Sequence, residues 1–203
     1  MKSKKITIGL FGAGTVGGGV VEQLFQQQET LKKQGLEIVI KKICVRDLDK
    51  ERDFQYSDSM QFVTEFSDIL EDEDIDLVVE CMGGTTVAWE VVSAAMKSGK
   101  HVVTPNKALI SKYLSEIEAL LAQNPSQQFG CEASVGGGIP IIHTLTRDLA
   151  LDEVLRISGI MNGTTNFILS KMEKEGADYA EVLQEAQDLG FAEADPTADV
   201  EGY

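Results

Sequence analysis

A chain of 203 residues with 43% hydrophobic side chains and 19 glycines carries enough apolar material for a packed core and is too apolar for a disordered chain. Its net charge of −15 excludes a nucleic-acid backbone or an anionic membrane as a partner of the surface as a whole. Three cysteines without a CxxC pair make neither a disulfide framework nor a zinc knuckle, and they fit a reducing, cytoplasmic setting.

No apolar run reaches membrane-spanning length, and Met1 to Lys5 leads into a strand rather than a signal-peptide core. Lys5 to Phe11 is short, apolar and rich in β-formers, as a buried parallel strand should be. Thr15 to about Gln34 reads as a helix with Val16, Val20, Leu24 and Leu31 on its inner face. Glu37 to Val45 is a second strand, and Phe62-Val63 a short third one. The acidic stretch Glu71 to Asp74 reads as a solvated surface cluster, because four consecutive carboxylates point in different directions and make a poor cation cage. Asp76 to Cys81 is a fourth strand, closing at Gly83-Gly84. Thr86 to Lys97 is a helix with Gly99 as its cap, His101 to Thr104 a fifth strand, and Ala108 to Gln123 another helix. This alternation predicts an α/β fold with a doubly wound parallel sheet of the Rossmann type.

The rhythm changes after Asn124-Pro125. Gln128 to Ala133 reads as a strand, and Pro140 opens a helix running to about Leu149. Val154 to Met161 reads as a further strand, followed by helices near Asn166 to Glu175 and Asp178 to Leu189. The expected organisation is a nucleotide-binding domain over 1–128 and an incomplete α+β domain over 129–203.

Gly12-x-Gly14-x-x-Gly17 lies between the first strand and the first helix. There, Gly12 permits the turn, Gly14 admits a pyrophosphate and Gly17 lets helix and strand pack closely. Phe11, Gly12, Gly14, Thr15, Val16 and Gly17 are the candidate dinucleotide contacts. After the second strand comes Arg46-Asp-Leu-Asp49. Arg46 would receive the 2′-phosphate of NADP, whereas Asp47 or Asp49 would hold the free 2′-hydroxyl of NAD; the rigid arginine fork favours NADP.

Further segments complete a recognisable series: Thr104-Pro-Asn-Lys107, Glu132-Ala-Ser-Val-Gly-Gly-Gly-Ile-Pro140, Gly159-Ile-Met-Asn-Gly-Thr-Thr-Asn-Phe-Ile-Leu169 and Gly190-Phe-Ala-Glu-Ala-Asp-Pro196. With the glycine motif, and in this order, the chain resembles the homoserine dehydrogenases over essentially its whole length. The resemblance implies NAD(P)-dependent interconversion of L-homoserine and L-aspartate 4-semialdehyde in threonine, methionine and isoleucine biosynthesis, by a protein that dimerises through its substrate domain. Lys107 would stand between nicotinamide and substrate to polarise the carbonyl, with Thr104 beside the cofactor. Glu193 and Asp199 would meet the substrate ammonium, with Asn162, Gly163 and Thr164 against the bound substrate. Glu132, Val135, Gly137 and Ile139 match positions that hold a monovalent cation, sodium, largely through backbone carbonyls.

Several residues also have plainer readings. Lys107 can be a solvated loop lysine, Asp195 a turn cap before Pro196, and Asn162 to Thr165 a capped helix start. His101 reads as a strand-end residue, and His143, without a spaced second ligand, is no zinc site. Cys44, Cys81 and Cys131 read as small hydrophobes near strand ends, which argues against the thioester chemistry of aspartate-semialdehyde dehydrogenases. Trp89 and Met96 read as core. The family pattern runs on to a second lysine, its usual acid/base, that would follow Tyr203. The resemblance therefore implies a fragment of impaired activity, with a non-catalytic dinucleotide-binding or redox-sensing module as the alternative.

Overall fold

The structure, a computed structural model, describes residues 3–189, 191–192 and 196–197. Two units separate by their internal contacts, 1–148 and 149–203.

The first unit is built on six parallel strands in the order β3-β2-β1-β4-β5-β6. These are β1 (Lys4–Phe11), β2 (Leu36–Cys44), β3 (Gln61–Val63), β4 (Leu77–Glu80), β5 (His101–Val103) and β6 (Phe129–Gly130). The helices between them are α1 (Thr15–Gln26), α2 (Gln28–Lys33), α3 (Ser67–Leu70), α4 (Thr86–Lys97) and α5 (Lys107–Gln123). Alternation along the strands sends side chains to two cores. Phe11, Val78 and Val102 face one core with Val91, Val92 and Met96 of α4 and Leu109 and Ile117 of α5. Ile8, Leu10, Ile40, Ile43 and Val79 face the other, closed by Val21 of α1. A sheet buried on both faces explains why its strands are apolar almost throughout. Trp89 stacks on Tyr113 with ring centroids 4.5 Å apart, so it joins the α4–α5 contact.

The long first helix breaks at Gln27 into α1 and α2, because Gln28–Lys33 buries nothing that would hold it in line. β6 pairs with Val102 and Val103 of β5. The last strand of the sheet thus lies just past residue 128, and the contacts of the first unit run on to Asp148. The strand expected through Ala133 stops at Gly130 and turns into a 3₁₀ segment, Glu132–Ser134. The helix expected from Pro140 also differs. Pro140 is the N-cap of a single α-turn, α6 (Ile141–His143), followed by a π-helical run, Thr144–Asp148. The Thr144 and Thr146 hydroxyls donate to the carbonyls of Pro140 and Ile142 (2.7 and 2.8 Å), and such back-bonding widens a helical turn.

The second unit contains α7 (Gly163–Glu175) and α8 (Tyr179–Asp188), packed through Ile168, Val182 and Ala186. Lys171 of α7 pairs with Glu185 of α8. The strand expected at Val154 to Met161 is absent. A strand needs a neighbour for its backbone groups, and this unit offers none among the described residues, so Leu155 and Ile160 stay exposed.

The acidic cluster is only partly a solvated face. Asp72 turns inward to accept from Lys41 (2.8 Å) and Lys42 (2.7 Å), while its carbonyl accepts from the buried Lys100 ammonium (2.6 Å). Burial pushes the Asp72 carboxyl up, but the two lysine hydrogen bonds outweigh it and hold the group well below the usual carboxylate range.

Candidate functional site

All six strands run the same way, so the ends of β1, β4 and β5 open on one edge of the sheet. Strand order reverses between β1 and β4, the place where open α/β sheets receive ligands. The glycine loop follows β1 there. Gly12 has φ +92°, and a Cβ on it would lie 2.6 Å from the Cys81 carbonyl oxygen after β4. Around Gly14, by contrast, nothing lies within 4 Å of a Cβ position, leaving the space a phosphate needs. Gly14 is also the N-cap of α1 and supplies no side-chain cap, so the first backbone N–H groups of that helix face outward unsatisfied. Val16 is exposed on that first turn, whereas the Phe11 ring is fully buried and packs edge-on against Phe66. Only the backbone of Phe11 reaches the site.

The loop after β2 is folded by a residue the sequence reading passed over. Arg52 donates to the carbonyls of Asp47 (2.6 Å) and Lys50 (2.7 Å) and lies over the Phe62 ring. Asp47 in turn accepts from the Asp49 backbone N–H. Arg46 is exposed and has no hydrogen-bond or ion-pair partner among the described residues.

At the end of β5, Thr104 is fully buried and donates its hydroxyl proton to Glu80 Oε2 (2.6 Å). Its side chain is therefore a structural element of the site wall. Asn106 caps α5, its Oδ1 accepting from Leu109 N–H (3.0 Å), while its Nδ2 donates to Gly84 O (2.7 Å). Lys107 is the first residue of α5. It is exposed and its ammonium has no partner among the described residues. A cation at a helix N-terminus opposes the helix dipole, so folding alone gives no reason for a lysine here.

Asn162 caps α7 by accepting from Thr165 N–H (2.9 Å), and Thr164 is buried with its hydroxyl donating to Phe191 O (2.6 Å). The capped-start reading of this motif holds, and Gly163, with open space at its Cβ position, begins the helix. Glu193, Asp195 and Asp199 lie outside the described residues. In the Glu132–Ile139 turn, Gly136 and Gly137 both have positive φ. Glu132 accepts from the N–H groups of Ile142 (2.9 Å) and His143 (2.6 Å), and Ile139 O accepts from Ile141 N–H. The Val135 and Gly137 carbonyls accept no hydrogen bond among the described residues.

No thiol here is poised to react. Burial pushes Cys81 up to about 12, helped by Glu80, and pushes Cys44 up to about 11, helped by Asp68 and Glu65. His101 begins β5 with Nδ1 accepting from Gln128 N–H, and His143 is an exposed residue 4.0 Å from Asp148. A recess of about 560 Å³ lined by Glu71, Asp76, Lys100 and His101 opens on the opposite edge of the sheet, away from the glycine loop.

A doubly wound sheet, a glycine loop at its switch point and an uncapped helix start define a dinucleotide-binding fold. Residues 12–129 match the family described as "Homoserine dehydrogenase, NAD binding domain", and residues 140–203 match "Homoserine dehydrogenase". The chain belongs to the homoserine dehydrogenase family. It is 48% identical over 204 residues to homoserine dehydrogenase of Bacillus subtilis, an alignment covering 98% of this chain and 46% of that one. Its fold superposes on a homoserine dehydrogenase from Thiobacillus denitrificans with a TM-score of 0.88 and 45% identity, over 100% of this chain and 47% of that one. A hyperthermophilic archaeal homoserine dehydrogenase in complex with NADPH gives a TM-score of 0.79 at 27% identity, over 98% of this chain and 66% of that one. The chain thus spans about half the length of the bacterial relatives it matches.

Proposed function

We propose that this chain carries the cofactor half of an NADP-using homoserine dehydrogenase that interconverts L-homoserine and L-aspartate 4-semialdehyde. The carrying observation is the Lys107 ammonium, without a partner among the described residues, at the head of α5 on the sheet edge where the Gly14 loop is open. When bound, the nicotinamide cofactor supplies or accepts the hydride. Gly12 to Gly17 bind its pyrophosphate through the N–H groups that begin α1. Arg46, exposed and unpaired among the described residues, takes the 2′-phosphate, a preference supported by the NADPH complex of the archaeal relative. Lys107 lies against the substrate oxygen and stabilises the negative charge that develops there.

Glu193 and Asp199 bind the substrate ammonium by charge-assisted hydrogen bonds, beside Asn162, Gly163 and Thr164. The turn at Glu132, Val135, Gly137 and Ile139 suits a monovalent cation such as sodium. Two of its carbonyls are unused, and Glu132 is fixed in the same turn. The whole protein is a homodimer of the cytoplasm, where the three free thiols remain reduced.

The test is NADPH titration of the 203-residue chain by nicotinamide fluorescence, followed by homoserine-dependent reduction of NADP in the chain extended to the length of its relatives. Binding with turnover of homoserine supports the reading. No NADPH binding, or an extended chain indifferent to homoserine, defeats it.

A further inference from the structure

Glu80 is the one carboxylate with no solvent exposure among the described residues, and it stands at the end of an otherwise apolar strand. No lysine, arginine or histidine pairs with it among those residues. Its charge is met by three hydrogen bonds instead. Oε1 accepts from Met82 N–H (2.7 Å) and Gly83 N–H (3.2 Å), and Oε2 accepts from the Thr104 hydroxyl (2.6 Å). Burying a carboxylate is costly unless such bonds satisfy it, so an apolar residue would be the cheaper filling if shape were all that mattered.

The bonds join two turns on adjacent strands. One is the turn after β4, where Gly83 and Gly84 both have positive φ. The other is the Thr104–Lys107 loop after β5. The Thr104 oxygen, its proton committed to Glu80, accepts from Asn106 N–H (3.0 Å), and Asn106 both caps α5 and donates to Gly84 O. The loop closes on itself: Glu80, Thr104, Asn106, Gly84 and back through Gly83.

We propose that Glu80 is a positioning residue. Its buried carboxylate bridges the turns after β4 and β5 and, through Thr104 and Asn106, fixes where α5 starts and so where the Lys107 ammonium stands. The proposal rests on the reading of Lys107 as the group facing the reacting oxygen. Only an acceptor on both oxygens suits the three donors. Glu80→Gln keeps the shape but turns an amide N–H₂ towards either the Met82 and Gly83 N–H pair or the Thr104 hydroxyl.

The experiment follows the Lys107 side-chain resonance in the whole 203-residue chain with labelled lysine, with and without NADPH. In Glu80→Gln the apo Lys107 signal should move and its NADPH-induced displacement should be lost. Thr104→Val, which leaves the carboxylate in place and cuts the bridge, should do the same, and it carries the test if Glu80→Gln does not fold. Thr104→Ser, which restores the hydroxyl, should return both signals to wild type. A Lys107 signal unchanged in both folded Glu80→Gln and Thr104→Val overturns the proposal. So does failure of Thr104→Ser to rescue, since that places the effect in packing rather than in the hydrogen bond. The reading of Lys107 has its own control. If wild-type Lys107 ignores NADPH, that reading fails, while movement of the apo signal in the variants still supports the Glu80 bridge.

Discussion

A Cβ on Gly17 would lie 2.0 Å from the carbonyl oxygen of Gly12, closer than any side chain can be accommodated. Gly14, between them in sequence, has open space instead. The two glycines should therefore fail differently. Gly17→Ala should destabilise the first unit by about 1–3 kcal/mol or more through overpacking. Gly14→Leu should leave the melting temperature nearly unchanged and weaken NADPH by on the order of 100-fold, about 2.7 kcal/mol. Thermal melts beside fluorescence titrations separate the two outcomes. Unchanged affinity in Gly14→Leu would remove the pyrophosphate from this loop.

Arg46 has no partner among the described residues, whereas Arg52 is spent on folding the loop around it. Arg46→Ala should cost NADPH binding roughly 1.5–3 kcal/mol and leave NADH almost untouched, because only one of them presents a 2′-phosphate. Equal losses for both cofactors would reverse the preference for NADP.

Lys107 sets stability against function. Removing its charge from the head of α5 should stabilise the helix by about 0.3–1 kcal/mol. In the chain extended to the relatives' length, Lys107→Met should lower homoserine turnover by on the order of 10²–10³. A variant that melts higher and turns over normally would return Lys107 to the solvated surface.

Asp72 predicts an acid sensitivity. Its folded carboxyl is held below the ordinary range by Lys41 and Lys42, against the opposing effect of burial, so its contribution is present at neutral pH. That contribution is lost as pH falls below the unfolded value of about 3.9 towards the lower folded one. Asp72→Asn should cost about 1–2 kcal/mol at pH 7, a hydrogen-bonded pair being worth more than an exposed one. The gap between wild type and variant should narrow as the pH drops below about 4. Denaturant melts at pH 7 and pH 3 measure it, and a gap of constant size would mean that the lysine pairing contributes nothing.

The sheet was legible because buried parallel strands declare themselves as apolar runs and the glycine spacing marks the turn after β1. Thr86–Lys97 falls where periodicity places it. Beyond Asn124 the local pattern places α7 and α8 but misleads elsewhere. The apolar alternation of Val154 to Met161 reads as a strand, but pairing is a tertiary property that the segment does not carry by itself. Likewise Thr144 and Thr146 turn an apparently ordinary helix into a π-helical one by hydrogen bonds that periodicity does not register.

Within the site, the glycine loop and Arg46 are marked by spacing and residue type, and Lys107 by the family resemblance. Glu80 reads as one more strand residue, and the full burial of Thr104 has no mark in the sequence. A signal for Glu80 was available: a carboxylate ending Leu77-Val-Val-Glu80, immediately before Cys-Met-Gly-Gly, is out of place in a strand buried on both faces. The cap at Asn106 is local chemistry, and its further bond to Gly84 emerges only when β4 and β5 are side by side.

The strand order also bears on how the polypeptide is made. β1 leaves the ribosome before the other strands of the sheet, yet it ends between β2 and β4, with Ile8 opposite Ile40 on one flank and Leu77 on the other. Until β4 has been synthesised, one backbone edge of β1 has no neighbour, and the face bearing Phe11 lacks the α4 side chains that cover it. Contacts this distant in sequence form slowly, and open edges beside apolar faces attract other chains. A nascent chain halted between β3 and β4 should therefore be a chaperone client, and release from chaperones should coincide with the emergence of α4.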